Sequence, residues 1–493
     1  MTGHNIAGKM ASGAGWMVLF KLIERAIGLV STLILVRLLM PSDFGLVAMA
    51  MSFVAMAELL AAFGFDIALI HNRSAAEHHY HTAWTCNALL GMVIGGVMIA
   101  AAAPVAAFYS RPELFWVVCA LALGPVIAGA ENIGVVAFRK ELEFRKEFAF
   151  QLGKKLIGFV VVVPLAWFWR SHWALVAGIL ATKLAATSLS YAVHPFRPRF
   201  SMRDAGSLFR FSRWMLLNNM LSFLKERTSD FAIGSFGGAA QLGLYNISYE
   251  IANLPTSELS APINRAMIPG YSSIRNQPEE VSRLFLGSTQ ALALLALPAA
   301  AMLAVLAPLL VPVLLGSKWL AAVPLIQILA FNGAVLVFLS QTTGTLVALG
   351  HPEAVTRINS VYVVVLIPVI VWQVKTHGAG GAAAALLVMS VLASPAYWLS
   401  LRAQVRITLR EVAGVVARPL LAAAIMAIAL LFAAPPAGGL STAAAAAWLV
   451  ALTVAGTLLY GALVLALWAK VGRPDGAERW ALDHLRARLS STR

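Results

Sequence analysis

The sequence predicts an all-α polytopic membrane protein of about 14 transmembrane helices, arranged as two parallel six-helix lobes plus an additional C-terminal helix pair. Three observations predict it. Apolar runs near the roughly 20 residues that cross a bilayer core recur along the whole chain. Basic residues collect on alternate loops. Short sequence matches return after a shift of 198 residues.

The composition sets the class. Of 493 residues, 60% are hydrophobic and 12% charged, whereas an average soluble domain is about a quarter charged. So few charges cannot coat a globule of this size. The two cysteines, Cys86 and Cys119, both lie in apolar runs and suggest neither a disulfide framework nor a zinc site.

The runs span 14–36, 44–65, 83–108, 114–137, 149–169 and 172–193 in the first lobe. Those at 209–229, 241–264, 285–307, 324–348, 355–374 and 379–401 build the second. Two more, 414–434 and 443–469, form the additional pair. Spans one, four, seven and eight are the least apolar. The first carries Lys21, Glu24 and Arg25 without a small-residue cleavage site, so it reads as a retained helix. The expected divisions are a lobe over 1–200, a lobe over 201–405, two helices over 406–470 and a cytoplasmic amphipathic tail over 471–493.

Placing the N-terminus in the cytoplasm puts the basic residues on one side. Inner loops and both ends then hold about 27 of them, including Arg139, Lys140, Arg145, Lys146, Arg197, Arg199, Arg203, Arg402, Arg406 and Arg410. Outer loops hold about 6, namely Arg37, Arg111, Arg170, Arg227, Lys318 and Lys375. The net charge of +15 is therefore a topology signal matched to anionic headgroups, not a nucleic-acid footprint. Both ends are expected in the cytoplasm. From Asp475 to Leu489, Trp480, Leu482, Leu485 and Leu489 fall near one face. A helix lying on the inner membrane surface and an ordinary solvated helix both fit that pattern.

The shift of 198 residues lays Trp16-Met17-Val18-Leu19 on Trp214-Met215-Leu216-Leu217, and Phe44-Gly45-Leu46 on Leu242-Gly243-Leu244. Helices one and two then correspond to seven and eight. Six helices per copy keep both copies in the same orientation, a parallel repeat with a substrate site expected between the halves.

Ionisable residues inside spans cost roughly 3 kcal/mol each, so they should face protein or water. Lys21 and Arg25 are four apart and share a face, with Glu24 beside them. Span seven carries Asn218, Asn219, Lys225, Glu226, Arg227 and Asp230. Glu58, Asp66, Glu131, Lys183, Glu250 and Glu258 complete the set. A polar cavity with a cationic lining is the expectation. The plainer reading is that Lys21–Glu24 is a structural pair and that Lys183 snorkels to the interface. Pro255, Pro262 and Pro269 recur every seven residues in span eight, where a kinked helix would suit a gate.

Other motifs lead nowhere. Gly3 to Lys9 has the spacing of a phosphate loop, but Met10 replaces the required Ser or Thr and no strand precedes it. The run Glu77-His78-His79-Tyr80-His81, with His71 nearby, matches no metal spacing and reads as a solvated cytoplasmic loop. No catalytic constellation is found, and no enzyme, metal or cofactor is expected.

The strings RLLMPSDFGLVAMA (37–50), GFDIALIHNR (64–73), FRKELEFRK (138–146), WALVAG (173–178), SDFAIGSFGGAAQLGLYNISYEIANLP (229–255) and LLGSKWLAAVPLIQILA (314–330) occur in an order and spacing that resemble one family. It is the polysaccharide transport family of Wzx-type flippases, in the multidrug/oligosaccharidyl-lipid/polysaccharide exporter superfamily. The resemblance extends to about residue 400. It implies two six-helix lobes and an extra pair. It implies a flippase moving an undecaprenyl-pyrophosphate-linked oligosaccharide across a bacterial inner membrane for exopolysaccharide, capsule or O-antigen synthesis. Alternating access would be driven by an ion gradient. Its partners would be that lipid, the surrounding membrane lipids and the polysaccharide polymerase with its chain-length machinery. Lys21, Arg25, Lys183 and Lys225 fit the family's cationic cavity residues by position, with Asn218 beside them. Asp230 falls on a position the family pattern carries, where it binds an ion or pins a turn. Glu24, Glu250, Glu258 and Pro255 are the remaining candidates for ion coupling or gating. A multidrug or metabolite exporter of the same superfamily is an alternative, which would want an acidic cavity. A membrane-embedded enzyme of polysaccharide assembly is a further one.

Overall fold

The computed structural model describes residues 21, 23–59, 69, 76–141, 143–203, 220–221, 223–436 and 440–472, with side chains in 255–266 and 268–269 excepted. Every regular element among the described residues is helical. Asp66, His71, Asn218, Asn219 and the tail from Asp475 lie outside them.

The helices are α1 (23–38), α2 (Pro41–Leu59), α3 (Glu77–Phe108), α4 (Glu113–Leu121), α5 (Leu123–Gly129), α6 (Val136–Lys140), α7 (Phe144–Trp169), α8 (His172–Val193) and α9 (223–232). Then follow α10 (Gly238–Ser273), α11 (Pro278–Leu314), α12 (Val323–Ala348), α13 (Pro352–Arg402), α14 (Leu409–Ala433) and α15 (Thr442–Lys470). Among the described residues nine helices are long and apolar enough to cross a membrane, or ten if a pair bent by 62° counts as one span. Side chains such as Phe168 and Phe432, 79% and 89% exposed, suit hydrocarbon and not water.

Two elements depart from simple spans. The predicted span at 114–137 is broken into α4, α5 and α6, with a 3-10 turn at Ile133–Val135. Asn132 holds the break: its side chain accepts from Gly134 N at 2.9 Å and donates to Phe196 O at 2.7 Å. The 51 residues of α13 would extend about 77 Å as one rod, over twice a bilayer core of roughly 30 Å. Gly378, at φ 60° and ψ −143°, folds the segment into two arms. A methyl on Gly381 would overlap the Gln373 carbonyl, so the second arm turns back on the first. The predicted runs 355–374 and 379–401 are these two arms.

The run from Glu77 to His81 corrects the sequence reading. It is not a loop but the first turns of α3. His79 Nδ1 accepts from Ala76 N at 3.1 Å, and His81 Nδ1 accepts from Arg199 N at 3.0 Å. The imidazoles occupy capping and bridging positions.

The chain divides into two compact units, Met1–Gly243 and Leu244–Arg493. In the first, α7 and α8 form a hairpin whose Val162, Ala166 and Ala174 bury Leu35 of α1 and Leu39 just past its end. An extended strap, 194–203, crosses the start of α3, where Thr82 and Thr85 hold its backbone at Arg203, Ser201 and Arg199. In the second, α14 and α15 bury Ala423, Met426, Leu430 and Leu452 against Ala301, Leu306 and Leu309 of α11. The α14 start is fixed by a capping box, Thr408 with Glu411.

The strap carries a proton-sensitive contact. His194 Nδ1 accepts the Phe196 N–H at 3.2 Å, which requires that nitrogen to be unprotonated. Burial holds the imidazole below its ordinary value; Lys146 and Arg197 act in the same direction, against Glu141 and Glu143. The folded state thus binds fewer protons than the unfolded chain. Stability from this group is intact above the unfolded pKa of about 6.5 and is lost as pH falls below it. Amide exchange of Phe196, corrected for its intrinsic rate, should therefore lose protection on acidification through that range in the wild type. In His194→Gln, which cannot titrate, it should not.

Candidate substrate site

The first unit concentrates the charged residues that lie within apolar spans, and α2 is its organising element. Met40 N donates to Asp43 Oδ2 at 2.9 Å, and Pro41 supplies a helix start whose missing N–H is no loss. Asp43 Oδ1 also accepts from His172 N at 3.1 Å, which fixes α2 to the start of α8.

Ahead of α1, Lys21 Nζ reaches Glu24 of its first turn at 2.8 Å, with the ammonium side chain 56% exposed. Arg25 is partly buried one turn beyond Lys21. On α8, Lys183 Nζ lies 3.5 Å from Glu58 on α2, the two side chains 38% and 42% exposed. The lysine is thus placed by a carboxylate on a facing helix as well as by its own reach. Half-exposed pairs of this kind contribute little to folding, about 0–1 kcal/mol. An ammonium carries three hydrogens, so such a pair can also receive an anion.

On α9, Arg227 donates to Asp230 at 3.0 Å, and the carboxylate is 5% exposed. Ser52 of α2, whose hydroxyl donates to Ala48 O at 3.0 Å, lies beside this carboxylate. Phe53 of α2 meets Phe231 edge-on at 5.2 Å between ring centroids and Tyr109 at 5.7 Å. Asp230 is thus held in the last turn of α9 by Arg227. The helix beyond it widens into a π turn, Ile233–Gly237, and Gly238 at φ 78° ends that turn before α10.

The start of α10 crosses α2 at backbone distance. A methyl on Gly45 would overlap the Ala239 carbonyl, and one on Gly243 would overlap the Pro41 carbonyl. Pro41 and Gly45, shifted by 198 residues, are Ala239 and Gly243. The pairs Pro41–Gly45 and Ala239–Gly243 meet crosswise, so each glycine sits on the residue four before its counterpart. The offset seen in the sequence is also a geometric relation.

Of the predicted residues, Lys21 meets Glu24 at the start of α1, which also carries Arg25, and Lys183 meets Glu58. Lys225 is partly buried on α9, and Glu250 is exposed on α10. Helical backbone runs through Pro255 and Glu258, whose side chains lie outside the described residues, as does Asn218 altogether. Sequence reasoning named Glu58 and Arg227 but did not pair them. The spacing of Arg227 and Asp230 contained that information; the 125 residues between Glu58 and Lys183 did not. It missed Ser52 and Phe53 entirely.

Comparison with known proteins agrees with this architecture. The sequence model of a family described as polysaccharide biosynthesis protein matches residues 34–324. The lipopolysaccharide biosynthesis protein WzxC of Escherichia coli K12 is 24% identical over 388 residues, covering 78% of this chain and 79% of its own. The succinoglycan biosynthesis transport protein ExoT of Rhizobium meliloti is 25% identical, covering 68% of each chain. The teichuronic acid biosynthesis protein TuaB of Bacillus subtilis is 24% identical over 71% of this chain and 73% of its own. Among solved structures, the lipid II flippase MurJ in an inward closed conformation superposes with a TM-score of 0.73 at 9% identity, covering 92% of this chain and 99% of that one. An inward-facing multidrug resistance MATE transporter of the MOP superfamily gives a TM-score of 0.56 at 14% identity, over 77% and 94%. The fold is that of these transporters.

Proposed function

Since the chain belongs to the polysaccharide biosynthesis protein family, we propose that it is a flippase for a lipid-linked oligosaccharide repeat unit, carried on undecaprenyl pyrophosphate across a bacterial inner membrane. Relatives named for lipopolysaccharide, succinoglycan and teichuronic acid biosynthesis support a role in surface-polymer assembly. The observation that carries the substrate class is the set of ammonium groups inside apolar spans, with Lys21 and Lys183 held half-exposed by carboxylate partners. A cation in that setting costs a few kcal/mol, which an anionic pyrophosphate offsets through charge-assisted hydrogen bonds. Arg25, Lys225 and Asn218 extend the binding set. A drug exporter would want a net acidic cavity. Both chain ends lie in the cytoplasm in this reading, which puts the basic loops on the inner face. The polymerase and chain-length machinery are partners that would receive the flipped unit.

Transport is coupled to an ion gradient, with Glu24, Asp230, Glu250 and Glu258 the carboxylates available and Pro255 a gating position. The test is purified protein in sealed vesicles loaded with the matched lipid-linked repeat unit. Transfer between leaflets should exceed that in protein-free vesicles at least tenfold, and should fall when an ionophore dissipates the gradient. No transfer of the matched substrate would sink the flippase reading; transfer indifferent to the ionophore would remove the coupling.

A further inference from the structure

The second unit contains a cavity of about 480 Å³ that the charged site does not use. It lies between α11, α12, the second arm of α13 and the start of α14, and is lined by Phe285, Phe338, Val391, Trp398, Leu409 and Val412 among others. Its rim opens on the apolar outer surface, where Val391 and Leu409 are 50% and 67% exposed.

Polar side chains reach the wall but are satisfied from behind. Gln341 Nε2 donates to Ser288 Oγ at 2.6 Å and to Phe285 O at 3.1 Å. Its Oε1 accepts from Thr289 Oγ1 at 3.2 Å, and Ser288 is also bonded to Tyr271 at 3.0 Å. A wall whose polar groups are already paired asks for an occupant that brings none. Hydrocarbon meets that requirement. The volume falls within the roughly 300–1,000 Å³ of small-ligand sites, which suits one acyl chain and is too small for a long polyprenyl chain.

The mouth is cationic. Arg402 at the end of α13, Arg406 on the joining turn and Arg410 at the start of α14 are exposed. Arg410 follows the lining residue Leu409, and the Arg406 carbonyl accepts from Ser282 at 3.3 Å, one turn before Phe285. We propose that this cavity binds one acyl chain of an anionic bilayer phospholipid, whose headgroup phosphate rests on Arg402, Arg406 and Arg410. The chain would join α13 to α14, and the arginines would select phosphatidylglycerol over a zwitterionic lipid.

The full-length protein, stripped of lipid in detergent, would be titrated with dioleoyl phosphatidylglycerol, dioleoyl phosphatidylcholine or undecaprenyl phosphate. Binding would be read by native mass spectrometry and thermal unfolding. Phosphatidylglycerol should bind at least tenfold more tightly than phosphatidylcholine and raise the unfolding temperature. The triple variant Arg402→Gln, Arg406→Gln, Arg410→Gln should erase that preference while retaining the fold, since all three side chains are exposed. Val412→Trp, which fills the cavity, should weaken both phospholipids. Equal binding of the two phospholipids, or an unchanged preference in the triple variant, would overturn the headgroup assignment. Tighter binding of undecaprenyl phosphate than of phosphatidylglycerol would overturn the bilayer-lipid assignment. None of these readings depends on transport, so they stand or fall apart from the flippase proposal.

Discussion

Gly45→Leu and Gly243→Leu are each expected to prevent accumulation of folded protein in the membrane. The cause is the crossing of α2 and the first turns of α10, where the obstacle to a new side chain is a backbone carbonyl of the partner helix in both cases. Overpacking a core typically costs 1–3 kcal/mol when neighbouring side chains can adjust. A carbonyl within a helix cannot move without its helix, so the cost here exceeds that range. Alanine already introduces the overlapping methyl, so Gly45→Ala and Gly243→Ala should also lower the unfolding temperature in detergent, and by similar amounts because the two contacts are equivalent under the 198-residue shift. The double alanine variant should be less damaging than the sum of the two, since helices parted by the first methyl have room for the second. Gly28→Ala and Gly96→Ala serve as controls; a methyl at either position meets open space. Wild-type elution and unfolding temperature for Gly243→Leu would refute the crossing.

Helix content and the approximate number of spans were legible because each rests on local composition: about 20 apolar residues in a row need no distant partner to be recognised. The glycine crossing was half legible. The offset marked Gly45 and Gly243 as counterparts, but not that each touches the other's helix. What failed was set by distant contacts. The break in the fourth span depends on Asn132 bonding Phe196, 64 residues away. The histidine run looked solvated because its side chains are polar, yet His81 is held by the strap backbone 118 residues later. Glu58 and Lys183 could each be noted as misplaced charges, but only the pairing of α2 with α8 makes them one feature. The lipid-facing cavity left no trace, because its lining is as apolar as the surface around it.

Replacing Lys21, Arg25 or Lys183 by a neutral residue is expected to abolish polymer export while leaving insertion and folding intact. Half-exposed pairs such as Lys21–Glu24 and Lys183–Glu58 contribute about 0–1 kcal/mol to stability. A hydrogen bond to a charged ligand is worth about 1.5–3 kcal/mol, so loss of one should weaken substrate binding on the order of 10–150-fold. Loss of export alone would not separate a binding role from a structural one, and the pair geometry supplies the control. The exchange of Glu58→Lys with Lys183→Glu keeps the ion pair but moves the cation from α8 to α2. Lys21→Glu with Glu24→Lys keeps the pair but carries the cation three residues along the chain. If the pairs are only structural, both exchanges should restore export to near the wild-type level. If the ammonium groups receive the pyrophosphate, both should fold normally and fail, because the anion finds a carboxylate where it needs a cation. Export and membrane abundance, measured in the same cells for the single and exchanged variants, decide between the two. Near-normal export from both exchanged proteins would take Lys21 and Lys183 out of the binding site.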